Sequence, residues 1–430
     1  MEFGDNPSLV KVVIDDGVLN PQGATFDFLT GDTDIGNNLI FSNVMYDITY
    51  DNGQLTLVPN GNSGIISLDA LNDRLAATGW LSNDFATGSK AKMIADALNE
   101  WAQTDPEAFK RAIKQIQPDT TSSQQTTTQS TNNQIVNAVE THMGHGNAHH
   151  GHNGGHHNGG HRPHMGRSGG DAFSNTSVWA QGLYNKSKLD TTNGFTGGTY
   201  GFALGADTEI SKNLNLGLGY AYTNSDINTE SRDTDVESHT AILYGQYDFG
   251  NAFVNGITTY GFSRYEEESG IKTAKYDMDS IFAQATAGYN FDVNSLGLTA
   301  QAGIRYLWTN THSYTDSAEQ YISANKTNTL TGVLGTSASM TLQSGSVILQ
   351  PSVKALAIYD MMKDADDVIV RLANGSNYVV SDSKSNRLGA EFGVGLNVNY
   401  NAFDLSLNYG IEVRENYTSQ TGMLRAKYSF

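Results

Sequence analysis

The chain has 430 residues, room for two or three domains, and carries 26 Lys plus Arg against 45 Asp plus Glu, a formal net charge of -19. That balance argues against a nucleic-acid partner, whose phosphates demand clustered cations, and suits a surface facing the outside of a cell. There is no cysteine, so the fold must rest on hydrogen bonds and packing. No apolar run reaches the roughly 18 residues of a membrane-crossing helix.

Met1 to Asp5 shows neither the basic nor the apolar region of an export signal. Together with the barrel read below, this makes the sequence look like a fragment lacking its export signal. From residue 1 to 64 the chain reads as short strands with turns between them. Leu9–Ile14, Ala24–Leu29 and Asn38–Phe41 are β-rich, and Tyr46–Tyr50 and Gln54–Val58 flank Asp51-Asn52-Gly53, a strong hairpin signal. From 65 to 117 the period becomes helical. Ile94, Ala97, Leu98 and Trp101 share one face, and Asp105-Pro106 restarts a helix whose stripe is Phe109, Ala112, Ile113 and Ile116.

Residues 119–134 are almost all Thr, Ser, Gln and Asn, a composition expected to stay extended or disordered because it cannot bury a core. The helical segment and this linker make one unit, 65–134. The next, 135–176, holds a short helix with Ile135, Ala138, Val139 and Met143, followed by a Gly/His-rich connector.

From 177 to 430 the period is two. In 214–223, Leu214, Leu216, Leu218, Tyr220 and Tyr222 oppose Asn215, Gly217, Gly219, Ala221 and Thr223. The same alternation runs through 296–308, 388–400 and 405–414, and recurs along the remainder, giving about twelve strands long enough to cross a bilayer when tilted. The polar face is small (Gly, Ala, Ser, Thr, Asn) with scattered charges, which suits a narrow lumen rather than the outer face of a soluble sandwich. Short turns such as Lys212-Asn213 and Asn401-Ala402 alternate with longer polar stretches near 226–235, 266–275 and 315–327, the asymmetry of a membrane barrel. The fold expected is therefore an all-β membrane protein: an antiparallel transmembrane β-barrel of about twelve strands. Before it come a short β-helix-like and helical segment and a lumenal plug helix.

Four stretches make the chain resemble the C-terminal translocator of monomeric autotransporters (type V secretion). They are Ser177-Val178-Trp179-Ala180-Gln181-Gly182, the aromatic/Gly texture of Leu218–Tyr222, the strand Asn386–Leu396, and the terminal Leu424–Phe430. Residues 1–64 further resemble the C-terminal end of a β-helical passenger. The resemblance implies an outer-membrane protein that exports and anchors a passenger at the bacterial cell surface. It would be monomeric, with outer-membrane lipid, periplasmic chaperones, the β-barrel assembly machinery and its own passenger as partners. The terminal strand, with Leu424, Ala426, Tyr428 and Phe430 in phase, would be the assembly signal. With an even strand count, both barrel ends lie on one side, so a helix must thread the lumen if the passenger lies on the other. Arg305, Glu391, Glu412, Arg414, Arg425 and Lys427 have the phase to line that lumen and bond the plug. A diffusion channel with a periplasmic N-terminal part is the alternative.

Two further patterns invite chemistry. His149, His150, His152, His156 and His157 are metal-ligand types, but their glycine surroundings supply neither fixed spacing nor a second shell, so a flexible connector is expected. Asn132-Asn133 matches the pair at which some autotransporters cut themselves, although Gln134-Ile135-Val136 departs from that subgroup's context. No catalytic constellation emerges: Gly61-Asn62-Ser63-Gly64 is not a nucleophile elbow, and no Gly-rich phosphate loop precedes a helix. Neither an enzyme nor a cofactor is expected.

Overall fold

A computed structural model describes strands at 8–11, 24–27, 39–42, 46–51 and 54–59, and residues 68–81, 84–119, 122–143, 176–191, 194–293, 296–380 and 387–430. Twelve strands form the barrel, in chain order Thr176–Leu189, Phe195–Ser211, Leu214–Thr229, Arg232–Phe249, Ala252–Ser269, Thr273–Val293, Leu296–Thr311, Asn325–Met340, Val347–Ala365, Leu388–Tyr400, Phe403–Arg414 and Tyr417–Ser429. Each pairs antiparallel with its sequence neighbours, and the twelfth pairs with the first, Tyr428 opposite Val178 and Tyr417 opposite Leu189. The ring is closed, so no edge strand remains in it. Phe430 completes the seam by donating its amide to the Thr176 carbonyl at 3.0 Å.

Period-two patterning becomes two surfaces. Leu204, Leu218, Leu243, Leu334, Val394 and Leu407 point outward and are exposed, whereas Thr223, Ser225, Thr259, Gln301 and Arg305 point inward and are buried. The polar stretches read as long loops at 226–235 and 266–275 are instead wall: strands run to Thr229 and from Arg232, and to Ser269 and from Thr273. The fourth to sixth strands are 18, 18 and 21 residues long, well beyond the roughly 9–11 that cross a bilayer. The wall therefore projects at the end opposite Thr176 and Phe430, and polarity there marks exposed strand.

Above this projecting rim sits a second layer. Helices α1 (Leu68–Trp80), α2 (Lys90–Thr104) and α3 (Pro106–Ile116) pack on a four-stranded sheet made from two barrel loops, Tyr314–Thr315, Tyr321–Ile322, Val368–Arg371 and Asn377–Val380. Trp80, Leu98 and Ile113 of the helices share one core with Ile322, Val370 and Tyr378 of the loops. As the sequence suggests, Asp105 caps α3 by accepting from the Ala108 amide at 3.0 Å, with Pro106 in the first turn.

α4 (Ser122–Met143) follows and threads the barrel. The expected extended tract at 119–134 is corrected here: most of it is helical, and the boundary drawn at residue 134 falls inside one continuous helix. Its 22 residues at ~1.5 Å each span about 33 Å, comparable with the ~30 Å hydrocarbon thickness of a bilayer.

At the N-terminal end, strand Ser8–Lys11 pairs parallel with Leu39–Ser42. The strands Ala24–Asp27, Gln54–Pro59 and Tyr46–Asp51 form an antiparallel sheet. Among the described residues only the first pair has the parallel pairing of a β-helix; Tyr46–Asp51 and Gln54–Pro59 pair antiparallel.

Candidate functional site

The site is the lumen with α4 inside it. One face of the helix is apolar: Ile135, Val136, Ala138 and Val139 are fully buried against Trp179, Leu183, Ile242, Ile257, Phe282 and Leu307 of the inner wall, with Met143 half-buried beside them. The plug residues read from sequence are thus the apolar half of the plug. Above them the Thr/Ser/Gln/Asn tract finds partners all round the wall. Gln124 donates to the Tyr276 hydroxyl, Gln125 Nε2 to Thr329 Oγ1 at 3.1 Å, and Thr128 shares a hydrogen bond with Tyr265 at 3.1 Å. Ser130 meets Ser419 at 3.1 Å, and Thr259 donates to Asn132 Oδ1 at 3.0 Å. A polar helix disfavoured in water is stabilised where its side chains meet a polar wall, although Thr127 Oγ1 and both amide atoms of Gln134 are buried without a protein partner among the described residues.

Glu140 of α4 accepts from Gln284, whose Oε1 accepts from Arg305 Nε at 2.8 Å; Arg305 in turn forms a buried two-pronged ion pair with Glu391. This chain of bonds crosses the lumen from helix to wall. Lys354 reaches the same helix, donating to Asn137 Oδ1 at 2.9 Å. A second network joins Asn133 Nδ2 to Glu412 at 3.3 Å, Glu412 to Arg414 at 2.8 Å, and Arg414 to Asp360 at 2.7 Å. Of the six charged residues given the lumenal phase, Arg305, Glu391, Glu412 and Arg414 belong to these networks. Arg425 and Lys427 line the lumen but make no hydrogen bond to the plug among the described residues.

Sequence reasoning missed the lower anchor. His142 Nε2 meets Asp207, and its ring stacks on Trp179 with centroids 5.1 Å apart and meets Tyr244 edge-on. Asp207 also accepts from Ser177 at 2.8 Å, Tyr244 at 3.1 Å and Asn215 at 3.1 Å. Two glycines make room: a Cβ on Gly217 would lie 2.2 Å from the Tyr244 ring, and one on Gly205 2.8 Å from Trp179. The inward phase of Asp207 and its neighbouring glycines was the available signal.

Asn132 and Asn133 sit in the middle of α4. Asn132 Nδ2 donates to the Thr128 carbonyl at 3.0 Å, which directs it back along the helix and away from its own carbonyl carbon, the atom a cyclising cleavage would attack. Leu424, Ala426 and Phe430 face outward on the twelfth strand, where Tyr428 lies 4.9 Å from Phe403 and 4.8 Å from Phe430 between ring centroids. His149, His150, His152, His156 and His157 lie outside the described residues, and those residues contain no group of three or more metal-ligating side chains.

A closed twelve-stranded barrel with a helix through its lumen and a helical unit over one mouth defines an outer-membrane translocator. The family model "Autotransporter beta-domain" matches residues 178–410, more than half of the chain, which therefore belongs to that family. Outer membrane protein A of Rickettsia conorii is 26% identical over 274 residues, covering 58% of this chain and 14% of that protein. Its counterpart from Rickettsia rickettsii is 25% identical over 274 residues, covering 58% and 12%. The chain thus spans about an eighth of the length of these relatives. Among solved structures, the translocator domain of the autotransporter NalP from Neisseria meningitidis is similar at a TM-score of 0.49 and 17% identity, covering 60% of this chain and 88% of that one. The transport unit of AIDA-I from Escherichia coli is similar at 0.46 and 17%, covering 60% and 92%. The barrel lies in the bacterial outer membrane as the translocator for a passenger.

Proposed function

We propose that this chain is the finished, sealed state of a surface-display device, in which α4 is both the trailing end of the exported segment and the stopper of the pore. One observation carries this reading: α4 is bonded at both depths, Gln124 to Tyr276 at the outer end and His142 to Asp207 at the periplasmic end. A channel for solutes gains nothing from a helix fixed along its length. On this reading the terminal strand, with Leu424, Ala426, Tyr428 and Phe430, is what the β-barrel assembly machinery pairs with through its backbone, after periplasmic chaperones have held the chain. The unit performs no catalysis and needs no cofactor.

Conductance in planar bilayers tests the seal. The full chain is expected to give small or intermittent currents, and deletion of residues 122–143 is expected to raise them severalfold. Steady, large currents from the intact chain would instead favour a diffusion channel.

A further inference from the structure

α4 packs on the first to seventh strands and on Met423 of the twelfth, and a cavity of about 210 Å³ remains between it and the eighth to twelfth strands. We propose that this cavity is a binding site for a small inorganic anion, of chloride or phosphate type, held by Arg425.

Register brings the donors together. Ser406 lies directly opposite Arg425 on the adjacent strand, and Asn408 is the next inward residue along. All three line the cavity. Arg425 is 4% and Ser406 3% exposed. Nε and Nη1 of Arg425, Oγ of Ser406 and Nδ2 of Asn408 have no protein hydrogen-bond partner among the described residues.

The nearby carboxylates are engaged with other groups. Glu391 pairs with Arg305, Glu412 with Arg414, and Glu140 with Gln284 and Lys354. Asp207 is held by His142, Ser177, Tyr244 and Asn215. Asp404 stands opposite Lys427 in the register and accepts from Asn399 at 2.7 Å. Among the described residues no ion pair reaches Arg425, and Asp404 and Asp207 attract it only from beyond contact. A guanidinium withdrawn from water without a counter-ion is costly. Planar N–H donors beside a hydroxyl and an amide are what a compact anion requires. The volume admits such an ion with a few waters, at roughly 30 Å³ each.

The test uses the full chain refolded in detergent. Thermal unfolding is followed as chloride, or separately phosphate, replaces gluconate at constant ionic strength, so that only a difference between anions is read. Saturable stabilisation is expected, with the stronger ion naming the occupant; Arg425→Gln should abolish it and Ser406→Ala weaken it severalfold. The proposal is overturned if the native protein shows no saturable response, or if Arg425→Gln retains it. Should Arg425→Gln fail to fold, the native titration and Ser406→Ala decide: a native response that Ser406→Ala leaves unchanged also sinks the site. If Arg425→Gln loosens α4 while the anion response persists, the guanidinium serves only the negative end of the helix dipole, and the site is refuted.

Discussion

Arg305 shows what the lumen demands of a single side chain. It sits buried between Gln284 and Glu391 and connects the plug to the far wall. Removing one partner of a buried ion pair strands the other, typically at a cost of about 3–5 kcal/mol, whereas replacing both with apolar groups of similar volume is often neutral. Arg305→Ala is therefore expected to lower the urea midpoint of unfolding in detergent markedly, and the double change Arg305→Met with Glu391→Leu to restore most of it. Equal loss in both would show that the pair stabilises beyond its own desolvation. That Arg305, Glu391, Glu412 and Arg414 face the lumen was legible from their phase. Their partners were not, because a period of two gives a side and only register gives a neighbour. Arg425 illustrates this limit: its side was read correctly, but its expected bond to the plug does not form.

Among elements, α4 departs furthest from its sequence. A run of Thr, Ser, Gln and Asn has poor helix propensity, since these side chains compete for backbone groups in water. Inside the barrel the solvent is a wall of hydroxyls and amides, and the same side chains become its ligands. A peptide of residues 122–143 in buffer is accordingly expected to show little helical circular dichroism, while in the full chain the same backbone amides should resist hydrogen exchange. High helicity in the free peptide would contradict this account. The apolar half, Ile135 to Val139, was readable because it follows the ordinary 3.6 period. The polar half was not, because composition was judged against water. The barrel strands were the most legible elements, yet their polar tips were taken for loops, since strand patterning fades once the wall leaves the bilayer.

For the whole molecule, the barrel could be anticipated and the cap could not. Its core joins α1–α3 to loop strands more than 200 residues away, and nothing in Val368–Arg371 or Asn377–Val380 announces that pairing. On the proposed topology α2 and α3 lie outside the cell. With an export signal supplied, trypsin added to intact cells is expected to reach exposed basic residues such as Lys110 and Arg111 while the barrel stays protected. Protection of that region in correctly inserted material would invert the topology. Deleting 68–116 should bare Ile322, Val370 and Tyr378 and make those loops protease-sensitive, leaving the barrel closed.

The junction between cap and rim has a mechanical consequence. The last carbonyls of α3, those of Lys114, Gln115 and Ile116, receive hydrogen bonds from Arg232, Ser269 and Gln320. Beneath them Arg232, Glu267, Lys272 and Asp316 form a buried ionic knot. Tension on the segment before α1 passes through the cap and is borne at this knot by several strands in parallel. The helix in the pore lies behind the knot and stays slack. The tether is thus fastened at the mouth, and traction on the cell surface need not break the seal.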